Sequence, residues 1–187
     1  MDQEILNTAL RVFSDKGYGN ATVNQICTSA GISLATFYRH YTGKDDIFRV
    51  VMQRFHEQEA RTIETVENMG LEEGLIHIAN THLSNMRNSP APEGIRLIYA
   101  EAPRFPEIAQ EFVNGTMRWL RPLMNFLQKY DVRLSDNQAY DLAILFMNMV
   151  GSRLEHEMLL RIDTEGRKRA DHAALAVRIF LNGFTGR

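Results

Sequence analysis

The feature that most constrains this chain is the stretch of residues 22–44, in which a single glycine separates two short helix-patterned segments. Thr22 and Gln25 have the spacing of a capping box, so Thr22 is expected to open the first segment. Ser33 is a suitable N-cap for the second. Gly31, between them, makes a tight break and accepts a backbone conformation that other residues resist. Two short helices joined in this way are typical of a helix-turn-helix.

The rest of the chain also has the pattern of helices. Apolar residues recur with helical spacing, glycine and proline fall between the periodic segments, and alternating strand-like runs are missing. We therefore expect an all-α fold. After a first helix ending at Gly17, the expected helices cover residues 22–30, 33–41, 44–68, 71–88, 94–102, 107–130, 136–160 and 168–182.

Composition limits the classes of protein this chain can be. Its 187 residues are 44% hydrophobic and carry a formal net charge of -2, so any surface for nucleic acid must be local. Cys27 is the only cysteine, which excludes an internal disulfide and suggests a buried structural thiol. The start, MDQEILNTAL, does not have the pattern of a signal peptide. Without an apolar run long enough to span a membrane, we expect a cytoplasmic protein with no membrane partner.

The third helix is expected to present a polar face to the outside. Ile26, Ala30, Ile32 and Phe37 would form the small core that holds it against the second helix. Hydroxyl and imidazole groups on the opposite face can bind phosphates, and small apolar groups can contact a thymine methyl. The residues expected at or near this surface are Ser33, Leu34, Ala35, Thr36, Tyr38, Arg39 and His40.

Lys44 is expected to bind a phosphate from outside the chain. It would begin the fourth helix, at the positive end of the macrodipole, where an acidic residue is normally preferred. A DNA phosphate could be bound there by the ammonium and the free backbone N–H groups together.

The run TVNQICTSAGISLATFYRHYTGKDDIF resembles the signature of the TetR/AcrR family of bacterial transcriptional regulators over about residues 3–50. The later stretch RLIYAEAPRFPEIAQEF resembles the C-terminal domain of its AefR-like branch. Many family members have a basic arm before the first helix, whereas Asp2 and Glu4 stand there in this chain, so minor-groove contacts are not expected. The resemblance implies phosphate contacts from Thr22, Thr36, Tyr38, His40 and Lys44. It implies base-edge contacts from Asn24, Leu34 and Ala35, while base, phosphate and solvent stay open for Arg39.

The resemblance also implies a domain order and an oligomeric state. Residues 1–46 would form a helix-turn-helix DNA-binding domain, joined by a long helix to a helical effector-binding and dimerisation domain within residues 47–187. In the family the last two helices pair with their copies in a four-helix interface, so a homodimer is expected. The interface residues expected from the apolar and small side chains there are Leu142, Phe146, Met149, Ala170, Ala173, Ala174, Val177 and Leu181.

A pocket for a small-molecule effector of unknown identity is expected among the middle helices. Its candidate lining residues are large or pliable side chains near a kink and proline-rich breaks: Phe55, His82, Tyr99, Phe112, Thr116, Trp119, Met124 and Met147. The alternative is that these side chains are ordinary core, as Met and aromatic stripes usually are. Effector binding would tilt the fourth helix and change the spacing of the two DNA-reading heads.

Together these features predict a repressor released from a palindromic double-stranded DNA operator by a small-molecule effector. The alternative is a helical small-molecule-binding protein or enzyme that retains a helix-turn-helix as a scaffold. The sequence contains no phosphate-binding glycine loop and no catalytic constellation, so we expect neither an enzyme nor a cofactor. The histidines lack the spacing of a metal site.

Overall fold

The computed structural model describes residues 2–88, 91–160, 162 and 172–184, and all regular secondary structure in these ranges is α-helix. This confirms the all-α class. In chain order the helices are α1 Asp2–Lys16, α2 Val23–Ala30, α3 Leu34–His40, α4 Lys44–Glu64, α5 Leu71–Asn88, α6 Ala91–Glu101, α7 Pro106–Tyr130, α8 Asp136–Leu160 and α9 His172–Phe184. No helix in the described ranges is both long and apolar enough to cross a membrane.

Local capping signals explain several of the helix boundaries. Thr22 and Gln25 form the expected capping box, with each side chain accepting a hydrogen bond from the other residue's backbone N–H. Gly17 and Gly31 have φ values of 77° and 65°, the left-handed conformation that favours glycine. Pro106 is the first residue of α7, where its missing N–H costs nothing.

Three expected boundaries were wrong. α4 ends at Glu64 instead of residue 68, and α6 begins at Ala91 instead of residue 94. α9 continues through Gly183, which was expected to stop it, to Phe184. The expected start of this last helix at residue 168 lies outside the described residues.

The chain packs as two compact units. The first comprises Met1–His56 with Pro90–Thr116, so it contains the helix-turn-helix together with α6 and the first part of α7. Its core includes the completely buried side chains of Phe13, Ile26 and Phe37. The predicted boundary at residue 46, between a DNA-binding and an effector-binding domain, concerns function and not packing, so it stays a prediction.

The second unit comprises Glu57–Ser89 with Met117–Arg187. In it α5, α8 and α9 pack on one another around a core that includes Leu75, Leu120 and Phe146. Helices α4 and α7 run without interruption from the first unit into the second. Each of these two helices therefore contains residues of both units.

Candidate nucleic-acid interface

The turn between α2 and α3 fixes the position of α3. The N–H of Gly31 donates to the Thr28 carbonyl at 3.3 Å, and the N–H of Ile32 donates to the Cys27 carbonyl at 3.0 Å. Cys27 is buried as expected, and burial raises the pKa of its thiol. With Ile26 and Phe37 completely buried beneath it, α3 is anchored on one side only. Its other side is left at the surface.

The surface side of α3 carries the residues that the sequence predicted there. Tyr38 is 57% exposed and Leu34 is 44% exposed, and Ala35, Arg39 and His40 are also exposed. The ring of Tyr38 meets Phe37 edge-on, with centroids 5.4 Å apart, so its orientation is constrained by the core. These side chains form one continuous accessible face. Their contact with DNA stays a prediction.

Several predicted phosphate ligands also have structural roles. The Ser33 hydroxyl accepts a hydrogen bond from the Thr36 N–H at 3.0 Å and lies 2.9 Å from the Thr36 hydroxyl. The Thr22 hydroxyl accepts from the Gln25 N–H at 3.3 Å. Because a hydroxyl is both donor and acceptor, the Thr22 O–H can still donate to a phosphate. Asn24, one residue further along α2, is exposed.

Lys44 is bound within the chain. Its ammonium donates to the carbonyls of Tyr18 and Gly19, at 2.9 and 3.4 Å, and lies 4.6 Å from the centroid of the Tyr18 ring. An ammonium has three donors, and these two contacts are to uncharged groups. These two contacts therefore do not neutralise Lys44, and one N–H remains for a further ligand.

The first turn of α4 also carries negative charges of its own, and phosphate binding by Lys44 stays a prediction. Asp45 and Asp46 occupy the same first turn and complement the macrodipole from within the chain. The Asp46 carboxylate accepts from the Thr42 N–H at 2.8 Å and from the Thr42 hydroxyl at 3.2 Å. The backbone hydrogen bond from Thr42, more than any other contact, lowers the pKa of Asp46.

Sequence reasoning did not find the role of Tyr18. Its hydroxyl donates to the Asp45 carboxylate, and burial, followed by this bond, raises its pKa. Its ring packs edge-on against Phe48 and Phe105, at 5.0 and 5.1 Å. Tyr18 thus ties the α1–α2 loop to the start of α4, where Lys44 bonds the same loop. Asp45, Phe48 and Phe105 are each 27 residues or more from Tyr18 in sequence, and no local pattern indicates them.

The eight predicted effector residues do not come together in either compact unit. Tyr99, Phe112 and Thr116 belong to the first unit, with Tyr99 60% exposed. His82 and Trp119 belong to the second, where their rings stack at 6.3 Å with an interplanar angle of 9°. In that unit Met124 and Met147 are buried in the hydrophobic core. The side chain of Phe55 lies outside the described part of the chain.

The second unit does contain a cavity, and it is lined by other residues. The cavity has a volume of about 610 Å³. One wall comes from the end of α4 and the turn after it, with Ile63, Val66 and Glu67. The other wall is a face of α7, formed by Arg118, Arg121, Pro122, Asn125, Phe126 and Lys129. The sequence signal for this wall was the helical spacing of three cations along α7, at residues 118, 121 and 129.

The predicted dimer interface requires a correction. Phe146, Ala173 and Val177 are buried in the core of the protomer itself and are unavailable to a partner. Leu142, Met149 and Leu181 are half-buried and pack against that core, and only Ala174 is exposed. Ala170 lies outside the described residues. The large exposed apolar side chains include Leu145 on α8 and, four residues apart on α9, Leu175 and Ile179.

The described residues show no group of three or more His, Cys, Asp or Glu side chains arranged to hold a metal ion. What they show is a helix-turn-helix whose second helix, α3, has an exposed polar face. This is the geometry of a DNA-binding protein of the helix-turn-helix class.

Comparison with known families agrees with this class. Residues 5–51 match the model of bacterial regulatory proteins of the tetR family. Residues 73–185 match the C-terminal domain of AefR-like transcriptional repressors. The chain therefore belongs to the TetR family of transcriptional regulators, with an AefR-like C-terminal domain.

The similar proteins are themselves regulators. The transcriptional regulator UidR of Escherichia coli strain K12 is 28% identical over 116 residues, which is 60% of this chain and 57% of the relative. The match thus spans little more than half of that relative. The negative regulator IcaR of the biofilm operon icaADBC in Staphylococcus epidermidis is 39% identical over 49 residues, 26% of each chain. A TetR-family regulator from Mesorhizobium loti superimposes with a TM-score of 0.77 and 26% identity, covering 97% of this chain and 95% of that one.

Proposed function

We propose that this chain is a cytoplasmic repressor that binds a near-palindromic DNA operator as a homodimer and leaves it when a small-molecule effector binds. The observation that carries the DNA-binding part is the exposed face of α3. There Tyr38 is 57% exposed, whereas its neighbour Phe37 is completely buried. A helix held this firmly on one side presents its other side in a fixed orientation, as major-groove recognition requires.

Each side chain of the interface has a proposed task. Leu34 and Ala35 contact base edges, with thymine methyls as their most suitable partners, and Asn24 reaches a base from α2. Arg39 binds a base edge or a phosphate. The phosphate ligands are Thr22, Ser33, Thr36, Tyr38, His40 and Lys44, which fix the register of the head on the duplex.

The homodimer is proposed from the exposed apolar side chains of α8 and α9. Leu145, Leu175 and Ile179 would be solvated in a monomer, and their burial against a second copy would stabilise a two-fold pair. A two-fold pair carries two α3 helices, so the operator has two half-sites related by symmetry. Their spacing would be about one helical turn, roughly 34 Å, or somewhat more.

The test is to capture sheared genomic DNA with purified protein at moderate salt and to sequence the fragments that stay bound. We expect enrichment of a near-palindrome. Tyr38→Ala should reduce affinity for it by about tenfold or more, as measured by fluorescence anisotropy. Val113→Ala is the control, since Val113 is similarly exposed, at 49%, and lies on α7. Capture of random fragments only, or equal losses in both variants, would contradict the proposal.

A further inference from the structure

The cavity of the second unit has one wall formed by a single face of α7. From Arg118 to Lys129, each lining residue on α7 is followed by another three or four positions further along the helix. These intervals place the side chains in one stripe along the helix. The opposite wall is the last turn of α4 with Val66 and Glu67 just beyond it. The result is an elongated groove of about 610 Å³, within the size range of small-molecule sites.

The groove combines an apolar interior with a cationic rim. Ile63, Val66 and Phe126 are buried side chains of the core, and they form its interior. Arg118, Arg121 and Lys129 are exposed at its edge. Glu67 is the single carboxylate among its described lining residues, and Asp136, which is not one of those residues, pairs with Arg121.

The cations are held in position by bonds that leave donors for a ligand. The Lys129 ammonium donates to the Glu67 carbonyl at 2.7 Å, and because that partner is uncharged, the positive charge is not neutralised by it. Arg121 donates to the Asp136 carboxylate at 2.8 Å through one of the five N–H groups of its guanidinium. Such pre-positioned donors lower the ordering cost of binding an anion.

The walls of the groove are fixed by close packing. The ring of Phe126 lies so near Gly74 of α5 that a Cβ added at residue 74 would collide with its Cζ atom. The Tyr130 hydroxyl donates to the Met69 carbonyl at 2.7 Å and fastens the end of α7 to the turn after α4. A ligand in the groove would therefore contact both helices that continue into the DNA-binding unit.

We propose that this groove is the effector site and that its ligand is an organic anion, with one carboxylate on an apolar body. The inference rests on the proposed response of the regulator to an effector, and it names the chemical class and the residues. The carboxylate would bind Arg121, Lys129 and Arg118 at the rim, and the apolar body would lie against Phe126 and Val66. A neutral molecule of the same shape would lose the charge-assisted hydrogen bonds.

The test uses calorimetry with two matched pairs of probes: 2-naphthoate against 2-naphthamide, and octanoate against octanamide. We expect at least one carboxylate to bind about tenfold or more tightly than its amide. The double variant Arg121→Gln/Lys129→Gln should lose this preference. The matched control is Arg133→Gln, because Arg133 is an exposed arginine whose recorded partner is Asp131 in the same loop. Glutamine at residue 129 can still donate to the Glu67 carbonyl, and unchanged thermal unfolding verifies the fold.

Two results would overturn the assignment of the ligand class: amides that bind as well as carboxylates, or an equal loss in Arg133→Gln. Operator affinity, measured separately by anisotropy, distinguishes this inference from the proposed function. Protein without added probe must bind its operator whether or not the groove binds anions. If the carboxylate occupies the groove and operator affinity is unchanged, the effector assignment is wrong while the DNA-binding function stands. Release of the operator from wild type and from Arg133→Gln, but not from the double variant, supports it.

Discussion

Single residues at the start of α4 serve the fold and the proposed interface together. Lys44 bonds carbonyls of the α1–α2 loop, and Tyr18 in that loop bonds Asp45. These contacts hold one ammonium at the α1–α2 loop without neutralising it. A lysine held in this way costs less entropy when it binds a phosphate than one that is free in solvent.

Lys44→Ala should weaken operator binding. It should also reduce the slope of the logarithm of the binding constant against the logarithm of the salt concentration by about one. The physical reason is that one phosphate contact, with its released counterion, would be lost. Anisotropy titrations over a series of salt concentrations measure this slope. Lys44→Arg should retain most of the slope, and Arg133→Ala, which removes a cation in the second unit, should not change it. An unchanged slope in Lys44→Ala would show that this ammonium has only a structural role.

Asp46→Asn should destabilise the protein at neutral pH and have little effect in acid. The pKa of Asp46 is lowered in the folded state by its hydrogen bonds from Thr42. Its charge therefore contributes stability above its unfolded pKa of about 4, and that contribution is lost as the pH falls through the lower folded pKa. We expect a loss of about 0.5–1 kcal/mol in the free energy of unfolding at neutral pH.

Urea unfolding at neutral pH and at about pH 2 measures this difference. The matched control is Asp15→Asn in the last turn of α1, where an acidic residue opposes the macrodipole and its neutralisation should not destabilise. A loss in Asp46→Asn that is equally large in acid would contradict the electrostatic explanation.

At the scale of helices, the sequence predicts what local chemistry controls. The bounds of α2 and α3 depend on Thr22, Gly31 and Ser33, which act on residues three or four positions away. The end of α4 could not be predicted, because the turn after it is held by Lys129 and Tyr130, more than 60 residues along the chain. Likewise, apolar periodicity identifies the apolar face of a helix but not the helix that packs against that face. For this reason Phe146 and Val177 were assigned to a dimer interface although they lie in the protomer core.

Gly31→Ala and Gly183→Ala should change stability in opposite directions. Apart from the adjacent residues and the backbone of the same helix, no atom lies within 4 Å of a Cβ built at either position, so packing does not decide the outcome. At Gly31, with φ at 65°, the added Cβ strains the left-handed backbone by about 1–2 kcal/mol. At Gly183, within α9, alanine should stabilise by about 0.5–1 kcal/mol.

Urea unfolding of the two variants checks these signs. Operator binding supplies a second measurement, because the turn at Gly31 orients α3. Gly31→Ala should weaken operator binding, and Gly183→Ala should leave it unchanged. A Gly31→Ala protein as stable as wild type would mean that the turn can adopt another conformation.

For the molecule as a whole, the proposed regulation needs a connection between two compact units, and α4 and α7 supply it. The exposed face of α3 belongs to the first unit, whereas the groove belongs to the second. Occupation of the groove can alter operator affinity only if the ligand prefers one arrangement of the two helices over another. The coupling is reciprocal, so bound operator must weaken effector binding by the same factor.

The last prediction concerns the assembly of two chains. Leu145→Glu combined with Ile179→Glu should convert the dimer into a folded monomer, because both side chains are more than half exposed in the protomer and a buried carboxylate pair would oppose association. Sedimentation velocity measures the mass. Val132→Glu is the control, since Val132 is the most exposed of the large apolar side chains described, at 87%, and precedes α8. It should remain dimeric.

A variant that loses dimerisation should also lose operator binding. A monomer presents one α3 to one half-site, so it loses the second set of phosphate and base contacts along with the symmetry that matches a palindrome. We therefore expect the double variant to lose specific binding while its helical circular dichroism is retained, and Tyr38→Ala to lose binding while it remains a dimer. A double variant that is still dimeric would place the interface on another surface. A monomer that binds the full operator as tightly as wild type would show that two-fold recognition is not the source of affinity.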